Sequence, residues 1–529
     1  PPPTTTTALP GAVFAARPLF APQIRGISWG PVPLRSPARA AQLHQDDWMD
    51  PAARPMWGRR GRGDLRIMRQ MGANMVRLYG NNPDSYHARF LDEAQAEGLH
   101  VTPGLSDFPF FQMQGSCKST GYDCSGQIRP LYLRMLQRGF MTVDVAYHPS
   151  LAYMIVINEP DLKMPHDATT RAPDGPRLMC KAIISALDAM LDAEKIMGLA
   201  SPGINFTATF SFAACPACSR FRTKPALGQM AQLEDAMLNP QQYGYSPAND
   251  LAQAYRTRWT HSFNTQNSAP EMPALFLNDY QAAFPTTPVF IGEYHRPHID
   301  QVADLSQIMQ LTSSVPLLLG ASFFQYQVAY WKGGSEQEFG MYALGEYVVA
   351  PMRYFGEDYS VYCLQPVSTP QTPGSIPEAL AGVFGGTVPD PAELCIPRPE
   401  SVQIDANGYR TILDQQNVPR MEVFVTRIVE HLGATVVDQS GARALAEQHV
   451  SNAIGSTFEA MVQSVMEQPG WALFDDSPVC VADREAFPQQ VQAAIDVICG
   501  LNISFSCSDI PLTCQGDIYL TADFIFSSY

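Results

Sequence analysis

The sequence predicts an α/β protein built on a (β/α)8 TIM barrel, and three observations predict it. Two apolar runs, LAYMIVINEP from Leu151 to Pro160 and PVFIGEYHRP from Pro288 to Pro297, each read as a strand covered on both faces that delivers a glutamate to its C-terminal end. Around them a helix, a glycine turn and a short apolar strand recur, as in DLRIMRQMGANMVRLY and FLDEAQAEGLHV. That rhythm is the mark of βα units. Counted from Ile24, it supplies eight strands in roughly 300 residues, which fits the barrel.

The elements follow in chain order. Residues 1–20 are rich in Pro and Thr and read as an extended tether; with no starting Met and no apolar signal core, the chain reads as already processed or trimmed. Ile24 to Gly30 (IRGISWG) is the first strand. The helix Gly63 to Met71 turns through glycine into the second strand, Asn74 to Tyr79, which carries Arg77 and Tyr79. The third strand lies in LHVTPGL, and the fourth, Leu151 to Ile157, leads to Asn158 and Glu159. An amphipathic helix, Leu178 to Met197, puts Ile183, Leu187, Met190 and Leu191 on one face. The remaining strands are Ile204 to Phe210, Thr260 to Asn264, Val289 to Glu293 and Leu317 to Tyr326, so the barrel spans 21–345. Beyond it, residues 346–418 are rich in Pro and turn formers and read as an irregular or β-rich cap and linker. Residues 419–470 return to helical spacing, and 471–529 form a small Cys-rich stretch of the size that needs disulfide staples.

Composition narrows the function. Apolar residues make up 46% of the chain, a globular value, yet no run of about 18 uncharged apolar residues appears, so no transmembrane segment is expected. The formal charge of −16, without a Lys/Arg block, argues against nucleic acid as a partner and leaves neutral polymers open. Eleven cysteines and two sequons, Asn205-Phe-Thr207 and Asn502-Ile-Ser504, point to an oxidising, extracellular compartment. Cys215-Pro-Ala-Cys218 has the form of a redox motif, but in a chain this rich in other cysteines it reads as a loop-closing disulfide. Cys117 is expected to meet Cys124, and Cys363 to meet Cys395, leaving Cys180 as the odd, buried thiol. His295 and His298 have no carboxylate or cysteine at metal spacing, so neither a metal nor any other cofactor is implied.

Two glutamates at strand ends of one barrel are what a retaining glycosidase needs, one as nucleophile and one as proton donor and acceptor. Either glutamate alone would read as a surface ion pair; the pair, with Asn158 beside the first, reads as a site. The pattern resembles clan A glycoside hydrolases, and its flanking residues look most like family 72, the β-1,3-glucanosyltransferases. The stretches that carry this are IRGISWG, GANMVRLYGNNPDSYHARFLDEAQAEGLHV, the two glutamate strands and ASFFQYQVAYWKGGSEQEFGMYALG. The tail resembles a second module, the β-1,3-glucan-binding family 43 domain, through Cys480, Cys499, Cys507, Cys514 and the closing DFIFSSY. Four cysteines allow three connectivities, which stay open. Three departures stand out: Pro160 and Asp161 follow the first glutamate where family 72 usually has a small or apolar residue, Tyr294-His-Arg-Pro follows the second where it more usually has Tyr-Gly-Cys, and the sixth strand lacks the expected Tyr.

The resemblance implies a secreted or cell-wall enzyme acting on β-1,3-glucan. Glu293 would be the nucleophile and Glu159 the acid–base, held protonated by its neighbour's charge and partial burial. Asn158 would hold the sugar 2-hydroxyl, and Arg77 would keep Glu293 ionised. Tyr79, Tyr326, Tyr330 and Trp331 are expected to stack on sugar faces. Transfer and hydrolysis are not separable from sequence. The alternative from another class is an inactive glucan-binding protein of the wall or matrix.

Overall fold

The computed structural model describes residues 23–395, except 41–42, 44–46, 60, 200–202 and 391–393, together with the backbone of 403–404 and 410–411. The tether, the segment 419–470, and the stretch 471–529 with Asn502, Cys480, Cys499, Cys507 and Cys514 lie outside the described residues. The chain divides into two compact units at Ile396. In the second, Gln403–Ile404 pairs antiparallel with Arg410–Thr411.

The first unit is a barrel of eight strands: β1 (Ile24–Ser28), β2 (Met75–Arg77), β3 (His100–Thr102), β4 (Tyr153–Asn158), β5 (Asn205–Phe210), β6 (His261–Thr265), β7 (Val289–Tyr294) and β8 (Leu318–Phe323). They form one sheet in the order β3-β2-β1-β8-β7-β6-β5-β4, and every paired neighbour is parallel. Two isolated parallel bridges, Val101 to Leu151 and Gly104 to Ile155, carry the sheet across from β3 to β4 and close it. Helices separate successive strands. The longest, Gly175–Ile196, buries Ile183, Leu187, Met190 and Leu191 as its sequence periodicity predicts.

Inside the barrel a small apolar group, Ile24, Met75, Ala152, Tyr153 and Phe290, fills the end where the strands begin. Above it the inward positions are small or polar: Gly26, Ser28, Thr209, Ser262, Gly292 and Ser322. A Cβ on Gly26 would lie 2.2 Å from Ser322 Oγ, and one on Gly292 would lie 2.7 Å from Thr209 Cγ2. These positions leave space at the C-terminal end of the barrel for a large polar side chain, and Arg77 occupies it, fully buried.

The structure differs from the sequence expectation after β8. That strand stops at Phe323, and the following backbone turns away from β7: Gln325 N donates to Phe339 O and Tyr326 N to Ser28 O. A long antiparallel hairpin follows, β9 (Tyr342–Tyr354) with β10 (Glu357–Pro366), so the region expected to be irregular or β-rich is β-rich and begins before residue 345. Only then comes the helix Ile376–Phe384, opened by a capping box between Ser375 and Glu378. It packs against Gln301–Ser314, the helix before β8, while Thr387 N just beyond it donates to Gln70 O at the end of the first barrel helix, Asp64–Gln70. It therefore takes the eighth helical place, with the hairpin inserted ahead of it.

Disulfides join Cys117 to Cys124, Cys215 to Cys218 and Cys363 to Cys395, and Cys180 is free and buried. Asn205 opens β5 at the end of the barrel away from the strands' carboxyl ends, with Thr207 of its sequon fully buried. Among the described residues no helix is long and apolar enough to cross a membrane.

Candidate active site

Parallel register brings the polar strand ends to one level. Ser28 lies opposite Arg77, Arg77 opposite Thr102, Asn158 opposite Thr209 and Asn264 opposite Glu293. Above them opens a cleft of about 1220 Å³ lined by Tyr79, Asn158, Glu159, Asn264, Glu293, Trp331 and others. Both glutamates singled out in the sequence thus face the same space, at the end of the barrel where such folds place their chemistry.

Arg77 organises the floor. One arm donates to Glu293 Oε1 at 2.7 Å, and the other to Asn158 Oδ1 at 2.8 Å. Its guanidinium lies under the Tyr79 ring, 4.5 Å from the centroid. A buried guanidinium cannot shed its charge, so it needs these acceptors, and in return it fixes their orientation. Tyr79 is held neutral: burial, then the nearby Glu293 charge, push its phenol well above the usual range. It stays a donor beside the Glu293 carboxylate.

Glu159 sits one residue past β4 in the left-handed region, with φ of 52°. Its peptide N–H donates to Thr209 O on β5. Asn264 Nδ2 donates to Glu159 Oε1 at 3.0 Å, and Lys163 Nζ stands 3.5 Å from Oε2. Two residues on, Asp161 is buried and accepts from Ser211 N, Ser211 Oγ and Gln229 Nε2, which ties the loop after β4 to the end of β5. Burial raises Asp161 from 3.8 to about 6, against the lowering effect of those hydrogen bonds.

No family model and no curated protein matches this chain. Among solved structures it is similar to Gas2 of Saccharomyces cerevisiae in complex with laminaritriose and laminaritetraose, at 13% identity and a TM-score of 0.41, over 96% of this chain and 88% of that one. It is similar to a mutant of the same yeast protein with laminaritetraose and laminaripentaose, at 12% identity and 0.40, over 96% and 85%. The AHE enzyme from Alicyclobacillus herbarius gives 14% and 0.35, over 55% and 82%. Likeness at this level carries no argument about chemistry.

The other expected residues are placed unevenly. Trp331 lines the cleft and is 43% exposed, open to a ligand. Tyr326 does not fit the role expected of it: it is fully buried, with its hydroxyl on Asp64 Oδ1, because the chain turns inward after Phe323. Tyr330 lies outside the residues lining the cleft and turns its hydroxyl to Leu344 N. His295 is buried with Nδ1 on Phe324 O and Phe339 O, and burial lowers it to about 4, so its imidazole is neutral. Asn264 and Lys163 were not singled out from sequence. The signal for Asn264 was its place at the end of the sixth strand; Lys163, one helical turn after Glu159, carried none beyond spacing.

Proposed function

We propose that this chain is a retaining glycoside hydrolase or transglycosylase that acts on β-1,3-glucan through a covalent glycosyl-enzyme on Glu293. The observation that carries the reading is the double grip of Arg77, which joins Glu293 to Asn158 on the floor of a cleft that Glu159 also faces. Glu293, oriented by that contact, attacks the anomeric carbon. Glu159 gives a proton to the departing glycosidic oxygen and later takes one from the incoming hydroxyl, either water or a second sugar. Asn158 spends its carbonyl oxygen on Arg77 and Asn264, so its amide N–H groups remain for the sugar 2-hydroxyl.

Charge balance supports a neutral substrate. The three Lys and Arg side chains lining the cleft are each paired: Lys163 with Glu159, Arg296 with Glu271 and Lys332 with Glu336. Among the described residues lining the cleft no Lys or Arg is left over for a phosphate or uronate, whereas Trp331 and Tyr79 offer the faces that pyranose rings favour. The choice of β-1,3-glucan follows the sequence resemblance, as does an extracellular or wall location. The test is incubation with a reduced laminari-oligosaccharide: products longer than the input show transfer, and shorter ones alone show hydrolysis. Proton NMR of the first product should show the β-anomer. An unchanged substrate, or an α-anomer first, overturns the reading.

A further inference from the structure

We propose that Asn264, on the strand where the sequence resemblance led one to expect a tyrosine, is the positioning residue for Glu159 and determines which of its oxygens carries the transferable proton. The inference rests on the acid–base reading of Glu159 and goes beyond it to a single atom.

The argument starts at Arg77, which can only donate hydrogen bonds. The Asn158 atom it faces at 2.8 Å is therefore the carbonyl oxygen, Oδ1. Asn264 approaches that same Oδ1 at 3.3 Å, so the Asn264 atom involved must be its amide nitrogen. That nitrogen also lies 3.0 Å from Glu159 Oε1. Its orientation is set by a cation two hydrogen bonds away, and an amide flip would put oxygen against two acceptors. Asn264 is itself buried, 6% exposed, and a Cβ on Gly292 would stand only 2.9 Å from its Oδ1, so the side chain has little room to move.

The consequence for Glu159 is an asymmetry between its two oxygens. Oε1 takes a 3.0 Å hydrogen bond from a buried amide in both protonation states, whereas Oε2 meets a half-exposed ammonium at 3.5 Å, beyond ordinary hydrogen-bond length, so Oε1 is the carbonyl-type oxygen when the group is an acid. The proton sits on Oε2. In the first step that proton passes to the glycosidic oxygen as its bond to the anomeric carbon breaks and the bond to Glu293 forms. In the second, Oε2 takes the proton of the attacking hydroxyl as the Glu293 ester bond breaks. Lys163, half-exposed at 3.5 Å from Oε2, faces the carboxylate left between the two steps. One arginine thereby aligns both carboxylates, Glu293 directly and Glu159 through two amides.

The test compares two substrates through kcat/KM, which senses only the steps up to formation of the glycosyl-enzyme. A laminari-oligosaccharide needs a proton on its leaving group; a dinitrophenyl β-laminaribioside does not. Asn264→Ala and Asn264→Asp should each lose about 10- to 100-fold on the oligosaccharide, the scale of a misplaced proton donor, and less than about threefold on the aryl glycoside. Glu159→Ala is the reference and should show the same contrast more strongly, with azide restoring turnover of the aryl glycoside as a glycosyl azide. Equal losses on both substrates in the Asn264 variants, or no loss on either, overturn the inference while the reference contrast stands. If the contrast is missing from Glu159→Ala itself, the acid–base reading falls, and this inference with it. Activity on the aryl glycoside also reports that each variant has folded.

Discussion

At the scale of single residues, Glu293→Gln should abolish turnover and leave oligosaccharide binding nearly intact. The amide keeps the carboxylate's shape and still meets Arg77, but it cannot form the covalent ester. Calorimetric titration set beside product analysis checks this, and full activity in the variant would remove Glu293 from the mechanism. The residues legible in sequence were those whose direction a strand end dictates. Glu159, Glu293, Asn158 and Arg77 each close a short apolar run, and parallel register does the rest. Asn264 lies at the end of a strand too, but four of the five residues in HSFNT are polar, so strand position alone marked its asparagine. Tyr326 shows the converse. Its place after an aromatic strand suggested a sugar platform, yet the backbone turns toward β1 three residues earlier and carries the ring to Asp64. Where a side chain points beyond a strand depends on the turn, and that turn is set by contacts distant in sequence.

At the scale of elements, the loop after β4 holds a pH-dependent term. Asp161 is raised from 3.8 to about 6, chiefly by burial, which outweighs the lowering hydrogen bonds from Ser211 and Gln229, with Glu159 nearby adding to the rise. The folded chain then binds that proton more tightly than the unfolded chain. The stabilisation is whole below about pH 3.8 and is lost as the pH rises through about 6. An asparagine at 161 is neutral throughout. Urea titration should therefore show wild type losing about 3 kcal/mol relative to Asp161→Asn between about pH 4 and pH 7. A gap that stays constant or moves the other way refutes the assignment. The elements read well from sequence wherever local pattern sufficed. Even β2 and β3, three residues each, were marked by the glycine turns before them. The hairpin of β9 and β10 was harder to place, since Pro351 and Pro366 and its exposed outer positions break the apolar alternation that announces a strand.

At the scale of the whole molecule, the barrel was legible because its βα rhythm repeats, and its end was not, because the hairpin separates β8 from the helix that completes the ring. With Ile376–Phe384 in the eighth place and Cys395 tied back to Cys363 on β10, the apolar core found among the described residues is assembled from residues before about 396. A chain ending just after residue 400 should then be soluble and should cleave short laminari-oligosaccharides at close to the full-length rate, since every residue assigned a role in the chemistry lies well upstream. If the Cys-rich stretch 471–529 is a glucan-binding module, as its sequence suggests, the shortened chain should bind insoluble β-1,3-glucan more weakly than the full chain while its rate on short oligosaccharides is unchanged. Sedimentation with the insoluble polymer and rates on soluble oligosaccharides separate the two effects. An insoluble or inactive product would mean instead that the barrel needs the later residues to fold, and the helically spaced segment 419–470 would be the first place to look for what it lacks.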